Sequence, residues 1–92
     1  MTYRSNPQIL ADVLVVIGDN GRDGVGITNL CHKSNMPHGR MTRLVKRLID
    51  SNLTNKIEYD GKNTYVLTEK GRLALESYKQ FATLAASFGL EL

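Results

Sequence analysis

Between residues 37 and 51 two patterns share one stretch of chain. Met41, Leu44, Val45, Leu48 and Ile49 recur at the spacing of an α-helix, and the positions between them hold Arg40, Arg43, Lys46 and Arg47. At about 100° per residue, Arg43 points almost directly away from the apolar stripe. Gly39 and Lys46 flank it on one side, Arg40 and Arg47 on the other. Pro37 can open this helix, because its φ is already helical and its missing N–H would be unpaired there anyway. A helix with one apolar and one cationic face packs its apolar side on a protein core; its cationic side is either a solvated surface, the plain reading for any basic helix, or a seat for an anion, which the neighbouring segments favour here.

The charge of the whole chain is concentrated at the same place. The formal net charge is +3, but residues 24–49 hold Lys33, Arg40, Arg43, Lys46 and Arg47 and no acid, so that segment carries +5 and the remainder −2. A polyanion is the expected partner. With 41% hydrophobic and 23% charged residues, the chain has the composition of a folded domain rather than a disordered one. Its 92 residues make one domain, spanning 1–92. Cys31 is the single cysteine, which excludes an internal disulfide and fits a reducing interior. Residues 1–7 lack the apolar stretch of a signal peptide, and no apolar run reaches bilayer length. A cytoplasmic, nucleoid-associated protein is expected.

On either side of the basic helix the chain alternates between periodic segments and breakers. Asn6-Pro7 starts a helix on which Ile9, Leu10, Val13, Leu14 and Ile17 share a face, and Gly18-Asp19-Asn20-Gly21 stops it. Val15 and Val16 widen the apolar surface, so this helix is buried on two sides or covered by another chain. Val25-Gly26-Ile27 can add a short edge strand. Thr28 is the expected N-cap of a second helix running to about Ser34, with Leu30 and Cys31 inward, and Asn35-Met36-Pro37 breaks it. Strands follow at residues 54–59 and 64–68, rich in Thr, Ile, Tyr and Val, with Asp60-Gly61-Lys62-Asn63 as the turn. Thr68 caps a last helix with Glu69 in its first turn and Gly71 as a weak spot, ending near Phe88 at Gly89.

The expected order is helix, short strand, helix, tight turn, basic helix, hairpin, helix. It defines an α+β, mostly α fold, a winged helix-turn-helix, with a core over residues 7–68 and a C-terminal helix over 69–88. The second helix braces the third, leaving its basic face free for a major groove wide enough for one helix. The run Asn63-Thr64-Tyr65-Val66-Leu67-Thr68-Glu69-Lys70-Gly71 resembles the Y-x-L-T-x-K-G junction between wing and helix in many prokaryotic winged helix-turn-helix transcriptional regulators. Over residues 8–78 the chain is similar to the small archaeal winged-helix DNA-binding proteins. That resemblance implies that residues 37–47 lie against DNA and that the wing at 61–63 touches the backbone. Some members of that group dimerise through a long C-terminal coiled coil. The C-terminal helix here, about twenty residues, departs from theirs in being shorter.

Side-chain chemistry sorts the expected contacts. Arg40 and Arg43 can each read guanine bidentately, and Thr42 can meet a thymine methyl or a phosphate. Lys33, Lys46 and Arg47 suit phosphates, as do Lys62 and Asn63 at the hairpin tip. Pro37, His38 and Gly39 form the helix start, where base edges are met. Tyr3 and Arg4 can form an arm along a groove, although a frayed terminus is the simpler state. Cys31, His32 and His38 lack the second ligand pair of a structural zinc site, so no metal is expected and Cys31 reads as a core residue. Glycine-loop, nucleophile-elbow and paired-carboxylate patterns are missing from the sequence, so neither enzyme activity nor a cofactor is expected. In the last helix Ala74, Tyr78, Phe81, Ala85, Phe88 and Leu92 are spaced 4, 3, 4, 3, 4, the seam of a coiled coil, which Ala82 and Leu84 widen. A homodimer with Tyr78, Phe81, Leu84, Ala85 and Phe88 at its interface follows. The expected function is double-stranded DNA binding in transcriptional control. The rival readings are a chromatin protein without sequence preference and a winged helix used for protein–protein assembly.

Overall fold

The structure, a computed structural model, describes residues 6–90. Their order is α1 (Asn6–Asp19), α2 (Ile27–Ser34), α3 (His38–Asp50), β1 (Thr54–Tyr59), β2 (Lys62–Leu67) and α4 (Glu69–Ser87). Helix α1 is the centre of the core. Val13, Leu14 and Ile17 are buried on it, and it packs against α2, β2 and α4. Val15 and Val16 are half-buried against the same cluster, so the chain itself covers part of the wide apolar surface. Leu30 of α2 and Met41, Val45 and Leu48 of α3 close the core from below. Leu44 and Ile49 are half-buried at its two edges. Helix α1 takes in Asn6 itself, so its capping position precedes the described residues.

Four local expectations are corrected. The segment at Val25 is a single bridge, with Val25 and Tyr65 exchanging hydrogen bonds of 3.0 and 2.9 Å, and the sheet has two strands only. Gly24 turns at φ 78° on one side and α2 begins at Ile27 on the other, leaving no room for a strand. The N-cap of α2 is Gly26, in extended conformation, and Thr28 lies inside the helix. The hairpin turn is two residues, not four. Asp60 and Gly61 have φ 53° and 75°, positive at both positions as a type I′ turn requires, and Lys62 and Asn63 pair with Tyr59 and Glu58. Finally, Gly71 is a requirement rather than a weakness. A Cβ there would stand 2.0 Å from the Leu53 carbonyl oxygen.

That close approach belongs to a clasp joining the end of α3 to the start of α4. The Thr68 hydroxyl accepts from the Gly71 amide at 2.9 Å and donates to the Asn52 carbonyl at 2.5 Å. The Lys70 ammonium reaches the Ser51 carbonyl at 3.1 Å, satisfying a free acceptor at the C-terminus of α3. The Thr68-Glu69-Lys70-Gly71 sequence therefore has a mechanical meaning: cap, dipole partner, strut and close approach. At the far end Phe88 caps α4 and Gly89 turns out at φ 75°.

Thr54 is fully buried at the start of β1, and its hydroxyl has no hydrogen-bond partner among the described residues. A buried unpaired hydroxyl costs about 1–3 kcal/mol. Thr54→Val, which keeps the shape and removes the polar atom, is expected to raise stability by about 1 kcal/mol. Urea unfolding checks this, and a lowered midpoint at constant m-value contradicts it.

Candidate nucleic-acid interface

Helix α3 is positioned by its two ends. Before it, Asn35 adopts the left-handed conformation at φ 51° and the Met36 amide bonds to the Cys31 carbonyl at 3.0 Å, closing α2. Met36 turns into the core, and Pro37 in extended conformation starts the new helix. After it comes the clasp at Asn52 and Leu53. Between these anchors Met41, Val45 and Leu48 hold one face against the core. The opposite face is left to solvent, and the side chains there are cationic.

Every residue expected at the interface is exposed: Lys33 in the last turn of α2, Pro37 at the N-cap of α3, His38, Gly39, Arg40, Thr42, Arg43, Lys46 and Arg47 on α3, and Lys62 and Asn63 on β2. Arg40, Arg43 and Arg47 are brought together along one groove of about 760 Å³, which runs between α3 and the start of α1. Lys46 belongs to the other flank of the basic face. The Thr42 hydroxyl donates to the His38 carbonyl at 2.9 Å. That bond ties up its proton within the helix. Lys62 and Asn63 form the first rungs of β2 beside the turn. Tyr3 and Arg4 lie outside the described residues.

Sequence reasoning passed over Tyr59. It is 49% exposed and pairs with Lys62 at the last rung before the turn, so the hairpin tip carries an aromatic ring beside a cation. The signal was present as a large aromatic directly before an Asp-Gly turn. Cys31 is half-buried and borders a shallow recess with His32, Asn35, Met36 and Pro37, which His38 does not share. Among the described residues no group of three or more His, Cys, Asp or Glu side chains could hold a metal ion. No helix among them is long and apolar enough to cross a membrane.

Helix α4 presents two different faces. Gly71, Leu75 and Ala85 are buried, with Ala74, Tyr78 and Ala82 half-buried, on the side that meets the rest of the chain. Leu73, Phe81, Leu84 and Phe88 are exposed on the neighbouring side, Phe81 at 58% and Phe88 at 74%. Of the expected interface residues, Ala85 is covered by its own chain at 5% exposure, and Tyr78 is half covered. Leu92 lies outside the described residues.

Comparison with known proteins agrees with this architecture. The regulator SPO1453 of the MarR family, from Silicibacter pomeroyi DSS-3, is 29% identical, with a TM-score of 0.69 over 86% of this chain. The chain spans 56% of the length of that regulator. Sso10a-2, a DNA-binding protein from Sulfolobus solfataricus, superposes with a TM-score of 0.73 at 20% identity, covering 92% of this chain and 85% of its own. AF1382 from Archaeoglobus fulgidus does so with a TM-score of 0.70 at 17% identity, covering 87% and 89%. No curated protein matches. The family model described as winged helix-turn-helix matches residues 3–86, nearly the whole sequence. The chain belongs to the winged helix-turn-helix family.

Proposed function

We propose that this protein binds double-stranded DNA as a homodimer and acts in transcriptional control by occupying its site, without catalysis or a cofactor, on the cytoplasmic nucleoid. The observation that carries the reading is the exposed face of α3, with Arg40, Arg43, Lys46 and Arg47 and no acid before Asp50. In this reading α3 enters the major groove. Arg40 and Arg43 meet guanine edges, the exposed Thr42 meets a thymine methyl or a phosphate, and Pro37, His38 and Gly39 bring the helix start against the bases. Lys33, Lys46 and Arg47 anchor phosphates, and the wing tip at Lys62 and Asn63 holds the backbone. Phe81, Leu84 and Phe88 of two copies form the dimer contact, with the half-covered Tyr78 at its edge, while Ala85 stays within its own chain. Two likenesses support the reading: SPO1453 is described as a transcriptional regulator and Sso10a-2 as a DNA-binding protein.

Salt titration is the direct test. Each phosphate neutralised releases about 0.9 counterion, so the logarithm of affinity falls against the logarithm of salt with a slope of about −4 to −8 per dimer. Fluorescence anisotropy on a labelled duplex measures it. Failure to bind duplex at low salt removes the reading.

A further inference from the structure

The groove between α1 and α3 holds more than a phosphate contact needs. Arg40, Arg43 and Arg47 border it, and among the described residues no Asp or Glu does. Ile9 and Leu10 of α1, Leu44 and Leu48 of α3 and Leu53 of the α3–β1 connection line it as well. Leu10, Leu44 and Leu53 each pack on the core yet stay only half-buried, so they offer apolar surface to the groove. A DNA phosphate pairs with the arginines and leaves those aliphatic side chains unused. Among the described residues no aromatic side chain borders the groove, so nothing in its described lining favours a flat ring over a flexible chain. Its volume of about 760 Å³ lies within the range of small-molecule sites.

We propose that this groove binds a straight-chain aliphatic carboxylate, whose head group engages Arg40, Arg43 and Arg47 and thereby displaces DNA. The guanidinium fork matches a carboxylate in shape and charge. The alkyl chain lies along Ile9, Leu10, Leu44 and Leu53, and each methylene it takes from water adds affinity. The antagonism rests on the DNA-binding reading, because the same arginines cannot serve both anions. Linkage makes the effect reciprocal: the carboxylate weakens DNA binding by the factor by which DNA weakens carboxylate binding.

The test titrates the full chain with hexanoate, octanoate and decanoate below their micelle concentrations, with decanol and inorganic phosphate as controls, by calorimetry. Saturable binding is expected for decanoate, tightening by up to about tenfold for every two methylenes. Decanol and phosphate, each lacking one half of the recognition, bind far more weakly. Leu10→Gln is expected to weaken decanoate at least about tenfold while leaving duplex affinity unchanged. Thermal melting confirms that this variant is folded, and the chain-length series on the unmodified protein decides the matter without it. Equal affinity for hexanoate and decanoate overturns the proposal. So does failure of decanoate to saturate, the result expected if a second copy fills the groove. Duplex affinity is measured separately without carboxylate. Decanoate binding with no duplex binding leaves the site standing and removes the DNA reading. Duplex affinity unchanged at saturating decanoate overturns the antagonism.

Discussion

Gly71→Ala is expected to destabilise the protein by about 3 kcal/mol or more, lowering its melting temperature by roughly 12–24 °C for a domain of this size. Helix propensity alone gives the opposite sign, since Ala is favoured over Gly by about 1 kcal/mol inside a helix. The geometry decides. The added methyl would stand 2.0 Å from the Leu53 carbonyl oxygen and 3.0 Å from its carbon, and both are backbone atoms. That carbonyl also accepts the Thr68 amide at 3.1 Å, so moving it away breaks the clasp that orients α4. A 92-residue domain has on the order of 5–10 kcal/mol of stability, so this one methyl removes a large share. Differential scanning calorimetry of the two proteins is the measurement. A melting temperature at or above wild type contradicts the close approach.

Phe81→Glu combined with Phe88→Glu is expected to convert the proposed dimer to a monomer and to lower affinity for a two-half-site duplex by about 10²–10⁴-fold. The same pair should barely change the folding of one chain, because Phe81 and Phe88 are already 58% and 74% exposed in it. Surface changes of this kind stay within about 0.5 kcal/mol each. Four carboxylates placed in a two-fold apolar contact are, by contrast, costly to desolvate. Loss of the second module matters because docking of one half then no longer makes docking of the other intramolecular. The proposed two-fold dimer is expected to prefer inverted half-sites about one helical turn apart, or a multiple of it, and the variant is expected to lose that preference. Sedimentation velocity of both proteins, paired with binding to one and two half-sites, separates the effects. A wild-type monomer at micromolar concentration removes the dimer and the inverted-repeat expectation with it.

Much of the fold could be read from local chemistry. The stripe of Met41, Val45 and Leu48, the break at Asn35-Met36-Pro37 and the cap at Thr68 are short-range signals, and each stands where expected. The errors arise where a distant segment decides. Lys62 and Asn63 are poor strand formers and read as turn, yet pairing with Tyr59 and Glu58 draws them into the ladder and leaves Asp60-Gly61 as the turn. Gly71 reads as a helix defect until Leu53 is seen against it. The heptad spacing in α4 falls on a helix with an apolar face. It could not tell which flank the chain keeps for itself, because that depends on how α1 lies across it. At the candidate site the cationic face of α3 was legible, since one helix carries it. The groove was not, because Leu10 and Leu53 join Arg40 and Arg47 only through the tertiary fold.

The bridge between Val25 and Tyr65 separates two properties of the hairpin that are usually tied together. At its root the hairpin is fastened. Thr64 donates to the Asp23 carbonyl at 2.6 Å, and a side chain at Gly24 would collide with Thr64 and with the Tyr65 carbonyl. At its tip nothing lies within 4 Å of where a side chain on Gly61 would go. Residues inserted in pairs around Asp60-Gly61 therefore keep every rung below them in register and lengthen the ribbon by about 3.3 Å per added rung. Reach is thus an adjustable dimension of this scaffold, open to change by insertion or deletion at the tip while the root and the helices beneath it stay as they are.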